Sequence, residues 1–310
     1  MGAVGGKHAA DQFLRNAPAV GIDLNMMFAT MSDASEGATR VRQLCLAVPG
    51  SGRTAMLFMA PPGEPGEVGD LATQASERVR AVSAALEGLE KAGTGDDGRA
   101  LFVLAQALPE PGEVWAIRAL ESAGMTRVGE LAYLSLRTGA LDDLPEPGPL
   151  PEGVSVEPVG DLDDPVRHAA LARALERSYV DTLDCPALCG VRETDDVIAS
   201  HRSTGRFDPN RWWIIARDGS PEGCCLMTHC PEHRSVELVY IGISPALRGA
   251  GIGANVLVRS LRAVRDIDAA EVTCAVDRAN APALAMYDAL GFGTFSDRVA
   301  FIRPVRAPAG

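Results

Sequence analysis

The stretch that decides the fold is Arg248-Gly-Ala-Gly-Ile-Gly253. It follows an apolar, β-branched run over residues 236–243, which predicts a strand. It precedes apolar residues that recur at helical spacing, namely Ile252, Val256, Leu257, Leu261 and Val264. Glycines let main-chain N–H groups crowd around a phosphate, and a helix N-terminus adds positive charge there. The order of strand, glycine-rich turn and helix therefore predicts a pyrophosphate site.

Two other nucleotide sites also use glycine-rich turns. A P-loop requires Lys followed by Ser or Thr after its second glycine, and no such pair follows Gly253. A Rossmann dinucleotide site requires G-x-G-x-x-G after the first strand of a parallel βαβ unit. Here the spacing is G-x-G-x-G, and the preceding strand belongs to a predicted antiparallel hairpin. Both alternatives fail, although the turn taken by itself is also compatible with simple close packing.

A second motif downstream makes the interpretation specific. It reads Asn280-Ala-Pro-Ala-Leu-Ala-Met-Tyr287 and is closed by Gly291-Phe292. Together with the first motif it resembles the Gcn5-related N-acetyltransferase (GNAT) superfamily over about residues 152–303. That family has an acetyl-CoA motif of the form Gln/Arg-x-x-Gly-x-Gly/Ala. Its second signature is Asn-x-x-Ala-x-x-x-Tyr followed by Gly-Phe, and a strand separates the two, as it is predicted to do here.

The resemblance implies an α/β (α+β) fold built as two tandem GNAT-like domains. Each would contain a mixed, mostly antiparallel sheet flanked by helices, with a pair of strands that splay apart for CoA. The tandem arrangement is inferred from the first half, where Arg118–Met125 repeats the pattern of Ala285–Phe292. A proline-rich run over residues 144–153 separates the halves. We therefore predict a degenerate domain over residues 1–146 and a catalytic domain over residues 147–310.

The first half lacks the residues that would bind CoA. When the two predicted hairpins are aligned on their terminal prolines, Val68 and Asp70 stand where the second half has its motif glycines. Two carboxylates, those of Asp70 and the nearby Glu67, would then face the pyrophosphate, and the glycines are missing. The matching helix has Leu120 where the second half has Tyr287. We interpret the first half as a domain without the acetyl-CoA motif that supports its partner or shapes the acceptor cleft.

The resemblance implies acetyl-CoA as the acyl donor and no metal ion. The pantetheine arm would pair, as a neighbouring strand does, with the main chain of Ile241, Gly242 and Ile243. Gly242 would help because it places no side chain over the arm. Asn280 would hydrogen-bond the arm or only cap the following helix. The pyrophosphate would be held, chiefly by main-chain amides, at Arg248, Gly249, Ala250, Gly251, Ile252, Gly253 and Ala254.

Two residues are candidates for proton transfer under this resemblance. Tyr287 lies where the family places its general acid, and a phenol can protonate the departing thiolate. Glu237 lies where the histone acetyltransferase branch has a glutamate that deprotonates the amine. Each has a purely structural alternative. Tyr287 would be a core tyrosine whose hydroxyl is hydrogen-bonded within the protein, and Glu237 would be a solvated or salt-bridged residue on a strand.

The acceptor pocket is predicted from a single segment. Tyr179 ends the first predicted helix of the second half, and Asp181 and Asp184 follow it, in the region that the family uses to line this pocket. Their charge and hydrogen-bonding groups suit a cationic acceptor. Capping of the loop by its own aspartates is the alternative for this segment.

The composition limits the partners and the compartment. The chain has 41 acidic and 29 basic residues, a formal net charge of −12, and neither half has the basic stripe that nucleic-acid binding requires. No apolar run reaches the roughly 18 residues of a membrane helix, so we expect no membrane span.

The seven cysteines lack paired C-x-x-C spacing, which argues against disulfides and structural zinc. Without a recognisable secretory signal, reduced thiols predict a cytoplasmic protein.

The predicted function is acetyl-CoA-dependent N-acetylation of a primary amine by direct attack in a ternary complex. The alternative is an acyl-CoA-binding sensor or regulatory module without turnover. Tyr287 favours the enzyme, because sensing requires no acid for a leaving group. The sequence does not determine the amine acceptor, which is a small molecule or a peptide, nor the acyl chain length or the oligomeric state.

Overall fold

The computed structural model describes residues 11–20, 22–32, 40–63 and 70–305. These residues form two compact units. Unit 1 contains the described residues up to Arg127 together with those from Val299 onward, and unit 2 is Val128–Arg298. Each unit has a mostly antiparallel sheet flanked by helices, which confirms the predicted fold class. In the described ranges, no helix combines the length and the apolar character that crossing a bilayer requires.

Unit 1 is built on a sheet of order β1-β2-β3-β4, to which the end of the last strand, β11, is added beside β4. Only the pairing of β3 with β4 is parallel. Helix α1 packs on this sheet through apolar residues at helical spacing, including Val82, Leu86 and Leu89. The elements are β1 (Met27–Met31), β2 (Val41–Gly50), β3 (Thr54–Met59), α1 (Leu71–Lys91), β4 (Leu104–Ala107), α2 (Val114–Ser122) and, from Val299 onward, β11 (Gly293–Pro304).

Unit 2 has the sheet order β5-β10-β9-β8-β7-β6. Here only β9 and β10 are parallel neighbours. The strands are β5 (Thr126–Arg137), β6 (Val154–Pro158), β7 (Trp212–Arg217), β8 (Ser220–Cys230), β9 (Ser235–Ile243) and β10 (Glu271–Asp277). The helices are α3 (Pro165–Tyr179), α4 (Thr194–Arg202), α5 (Ile252–Ala263) and α6 (Ala281–Ala289).

The division between the units differs from the boundary predicted at residue 147. Strand β5 precedes the proline-rich run, yet Leu131–Arg137 pairs with β10 and therefore belongs to unit 2. In the same way, Phe301–Pro304 of β11 pairs with β4 in unit 1. The final strand of each half thus completes the sheet of the unit built mainly from the other half. Local sequence patterns do not report such long-range pairing.

The proline-rich run is not a free linker. Two side chains of α5, Asn255 and Arg259, donate hydrogen bonds to the carbonyl oxygen of Gly148 at 2.8 and 2.7 Å. Arg262 donates to the carbonyl oxygen of Leu144 at 3.1 Å and pairs with Glu146. The arginines of α5 therefore fasten this segment to the helix that follows the glycine-rich turn.

The assignment of β5 to unit 2 can be tested with Leu134→Ala. Leu134 is 3% exposed in the core of unit 2, and truncation of a buried leucine to alanine costs about 2–5 kcal/mol of unfolding free energy. We expect hydrogen exchange to accelerate in β10, the pairing partner of β5. The matched control is Arg137→Ala, an exposed position on the same strand. Faster exchange confined to β2, β3 and β4 would contradict the assignment.

Candidate active site

A cleft opens in unit 2 because two neighbouring parallel strands separate. Strands β9 and β10 pair only where Ser235–Glu237 lies beside Glu271–Thr273. Val239 is an extra residue of β9, because the register with β8 shifts across it. Such a bulge bends the strand that carries it. Along Leu238–Ile243, β9 therefore has β8 on one edge and no strand of the described chain on the other.

The cleft has a volume of about 580 Å³. It is lined by this open part of β9, the glycine-rich turn, the start of α6 and the loop after α3. Ala250, Glu237 and Tyr179 are not among its lining residues. The structure brings most of the predicted site residues into it: Ile241, Gly242, Ile243, Arg248, Gly249, Gly251, Ile252, Gly253, Ala254, Asn280, Tyr287, Asp181 and Asp184.

The glycine-rich turn leaves its main-chain donors unused. Gly249 and Gly251 have φ angles of +81° and +72°, a left-handed conformation that glycine adopts without strain. Among the described residues, no main-chain oxygen accepts a hydrogen bond from the N–H groups of residues 249–254. The first bond of α5 runs from the Asn255 N–H to the Gly251 oxygen at 3.1 Å. A row of unused amides at a helix N-terminus suits an anion such as pyrophosphate.

The guanidinium of Arg248 is bound to the protein main chain. It donates four hydrogen bonds of 2.8–3.1 Å, to the carbonyl oxygens of Ile243, Ser178, Val180 and Asp181. These acceptors belong to the end of β9 and to the segment that leaves α3. Arg248 therefore ties the glycine-rich turn to the loop on the opposite wall of the cleft. The sequence motif predicts that this arginine contacts CoA. It does not indicate that the guanidinium hydrogen-bonds to main-chain oxygens of the loop after α3.

Gly242 is required for a reason that the sequence does not indicate. A Cβ atom at this position would lie 2.3 Å from the hydroxyl oxygen of Tyr240, two residues earlier on the same face. The Tyr240 hydroxyl is itself hydrogen-bonded to Ser178 at 2.7 Å, and its ring stacks on His201. The tyrosine ring, held in this position, occupies the space that a side chain at residue 242 would need.

Tyr287 lies in the cleft on α6 and is 4% exposed. Its ring packs edge-on against Phe292, with centroids 5.4 Å apart. Burial, first, and the neighbouring Cys274 thiol raise the pKa of Tyr287 well above its ordinary value, so the phenol keeps its proton at neutral pH. At the start of the same helix, the Asn280 side chain accepts a hydrogen bond from the Ala283 N–H at 3.3 Å, so Asn280 caps this helix.

Glu237 and Tyr179 lie away from the cleft walls. Glu237 stands opposite Thr273 at the last pair before the strands separate. Burial raises its pKa, and His233 partly offsets this effect. Tyr179 packs edge-on against Tyr240 in the core behind the cleft, with centroids 5.8 Å apart.

Asp277, which neither sequence motif indicates, joins the end of β10 to the loop that carries Asp184. Its carboxylate accepts hydrogen bonds from the N–H groups of Cys185 and Ala279 at 3.1 and 2.9 Å. Its own N–H donates to Oδ1 of Asp184 at 2.8 Å. Gly129 of β5 leaves the room it needs, since a Cβ there would lie 2.8 Å from Oδ2 of Asp277. The sequence did contain one signal for this residue, because Asp277 comes directly after a predicted strand and three residues before Asn280.

Comparison with known proteins gives consistent matches. A model of the acetyltransferase (GNAT) family matches residues 174–292. A mycothiol acetyltransferase from Thermomonospora curvata is 30% identical over 216 residues, 67% of this chain and 69% of that protein. One from a Parafrankia species is also 30% identical, over 49% of this chain and 56% of its own length. With the Parafrankia protein, the match therefore spans little more than half of the relative.

A solved structure covers nearly the whole chain. The GCN5-related N-acetyltransferase from Sphaerobacter thermophilus has a TM-score of 0.57 with this protein at 20% sequence identity. The match includes 96% of this chain and 86% of that chain. At this level of identity the likeness shows the fold, and it extends over both halves of the sequence.

The tie made by Arg248 can be tested with Arg248→Lys. Lysine keeps the charge but lacks the planar fork that reaches several carbonyl oxygens at once. We expect faster amide hydrogen exchange in residues 180–185 because this segment loses its attachment. The control is Arg217→Lys, which removes an exposed arginine with one hydrogen bond to the Ala246 carbonyl. Equal exchange in Arg248→Lys and the unsubstituted protein would contradict the tie.

Proposed function

This chain belongs to the acetyltransferase (GNAT) family, and on that premise we propose that it transfers an acetyl group from acetyl-CoA to a primary amine. The observation that carries the proposal is the meeting of three features in one cleft. They are the unused amides of residues 249–254, the open edge of β9 and the buried phenol of Tyr287.

The donor side of the cleft fits a CoA thioester. The amides before α5 supply hydrogen-bond donors and the positive end of a helix for the pyrophosphate. The open edge of β9 offers main-chain groups at Ile241–Ile243 to the amide-containing pantetheine arm, in the manner of an added strand. With its guanidinium on carbonyl oxygens, Arg248 serves this side by shaping the turn.

The chemistry is a direct attack of the amine on the thioester carbonyl. A main-chain N–H near Ile243 polarises that carbonyl, and Tyr287 gives its proton to sulfur as the carbon–sulfur bond breaks. A raised pKa suits this role, because the phenol remains protonated at neutral pH. Glu237 is the base that the sequence predicts. It lies outside the cleft walls, so it could act on a bound amine only through a bridging water molecule, in contrast to Asp184, which lines the cleft.

Unit 1 is proposed to support this site without binding CoA itself. Leu120 of α2, the residue that matches Tyr287, is fully buried in the apolar core of unit 1 and offers no acid. Pro65 and Val68, which match Arg248 and Gly251, lie outside the described residues. Asp70 accepts the capping hydrogen bond from the Thr73 N–H at 2.7 Å, at the N-terminus of α1. A carboxylate already occupies the place that an anion would take.

The proposed function can be tested by measuring CoA release with a panel of primary amines. Both relatives described above are named for mycothiol, so mycothiol-related amines belong in the panel beside simple amines and peptides. Turnover that depends on the amine supports the proposal. Tight acetyl-CoA binding by calorimetry without turnover on any acceptor would instead support a sensor.

Tyr287→Phe tests the proposed acid. The substitution keeps the ring and its packing on Phe292 and removes only the hydroxyl. We expect kcat to fall roughly 100-fold, as for the loss of a general acid, while the KM for acetyl-CoA stays nearly unchanged. The control is Tyr133→Phe, a tyrosine on β5 outside the cleft. Unaltered kcat in Tyr287→Phe would remove this residue from the acid role.

A further inference from the structure

The loop between α3 and α4 places a carboxylate in the cleft beside the proposed acid. Asp184 lines the cleft together with Tyr287, and Glu237 does not. We propose that Asp184 binds the ammonium group of the acceptor and takes its proton. This inference rests on the proposed acetyltransferase function and names the proton acceptor within the same site.

One oxygen of Asp184 is fixed and the other is open. Oδ1 accepts a hydrogen bond from the Asp277 N–H at 2.8 Å. No hydrogen bond to Oδ2 is made by any donor in the described part of the chain. Asp184 lines the cleft, so Oδ2 is the oxygen left available to a ligand. The carboxylate is therefore oriented before the acceptor binds.

The loop that carries Asp184 is fastened at both ends. At its start, Arg248 donates to the carbonyl oxygens of Ser178, Val180 and Asp181. At its end, the Cys185 N–H donates to Oδ2 of Asp277 at 3.1 Å. A group held on both sides in this way keeps its geometry when substrate binds, which general acid–base catalysis requires.

The charges around Asp184 favour a cation. The titratable groups that face it are Asp277 and Cys274 from β10, Tyr240 from β9, Tyr287 from α6, and Cys185 and Cys189 from its own loop. All of these are neutral or negative at neutral pH. Arg248 lines the same cleft, with its guanidinium bound to four carbonyl oxygens.

Neither the half-buried carboxylate of Asp184 nor the buried one of Asp277 has a basic partner. Among the described residues, no Arg, Lys or His forms an ion pair with Asp184 or Asp277. Buried carboxylates are normally paired, because desolvation of an isolated charge is costly. An alkylammonium ion at Oδ2 supplies the missing positive charge, which is the physical reason for assigning the acceptor to this position.

The environment of Asp184 also raises its pKa, which makes the carboxylate a stronger base. Burial raises its pKa, and the nearby Asp277 carboxylate raises it further, whereas the Asp277 N–H lowers it. A carboxylate with a raised pKa takes a proton from an ammonium group more readily than a solvated one. The same pKa must still lie below the working pH, so that the group is ionised when the amine arrives.

The proton transfers balance over one turnover. Asp184 takes one proton from the ammonium group, and the freed lone pair forms the nitrogen–carbon bond. The carbon–sulfur bond breaks as Tyr287 gives its proton to sulfur. The second proton lost by nitrogen restores the phenol of Tyr287, and the proton on Asp184 passes to water. One proton is released for each ammonium ion acetylated.

The test is Asp184→Asn in the full chain. Asparagine keeps an Oδ1 atom for the Asp277 N–H and cannot accept the proton. We expect kcat/KM for the amine to fall about 100-fold or more, with acetyl-CoA affinity by calorimetry unchanged. In the unsubstituted protein, kcat/KM for the amine should fall as the pH decreases through the pKa of Asp184, because the protonated carboxyl is inactive. This acidic limb should be absent from Asp184→Asn, and Asp184→Glu should restore part of the activity.

Two further variants separate the outcomes. Asp288→Asn makes the same change at an exposed position beside Tyr287 and outside the cleft, and it should leave kcat/KM unaltered. If Glu237→Gln abolishes the acidic limb and Asp184→Asn retains it, Glu237 is the base and this inference is overturned. Normal activity of Asp184→Asn overturns this inference and leaves the proposed function standing. Absence of turnover in the unsubstituted protein overturns both.

Discussion

Strands β9 and β10 hydrogen-bond over three pairs and then separate at the bulge of Val239, and every part of the candidate site depends on this separation. A continuous pairing would use the main-chain groups of Ile241–Ile243 and would close the space between β9 and α6. Because the strands are parallel, the glycine-rich turn and the start of α6 both follow at the same edge of the sheet. The gap therefore has unused backbone donors on one side and Tyr287 on the other.

The segment from Ser178 to Cys185 couples the two ends of this gap. Arg248 holds its beginning against the glycine-rich turn, and Asp277 holds its end against β10. A side chain from the donor motif thus shapes the wall where an acceptor would bind. The same hydrogen bonds therefore position both the proposed donor side and the loop that carries Asp184.

The buried tyrosines of unit 2 show how similar residues take different roles. Tyr240 and Tyr287 both line the cleft, and burial raises the pKa of both. Tyr240 is hydrogen-bonded to Ser178 and stacked on His201, so its hydroxyl is already occupied. Tyr287 touches a thiol, which is a weak hydrogen-bonding partner. The second tyrosine is therefore the better proton donor, and the first one explains why residue 242 is glycine.

The sequence by itself determined the family, the fold class and most of the residues that meet in the cleft, because the motifs from Arg248 to Gly253 and from Asn280 to Tyr287 are local. A glycine-rich turn and a helix cap are encoded within a few residues. Only the tertiary structure decided that β5 belongs to unit 2, that Arg248 binds carbonyl oxygens and that Asp277 orients Asp184. These features join residues far apart in the chain. The pattern of one segment therefore carries no information about its partner.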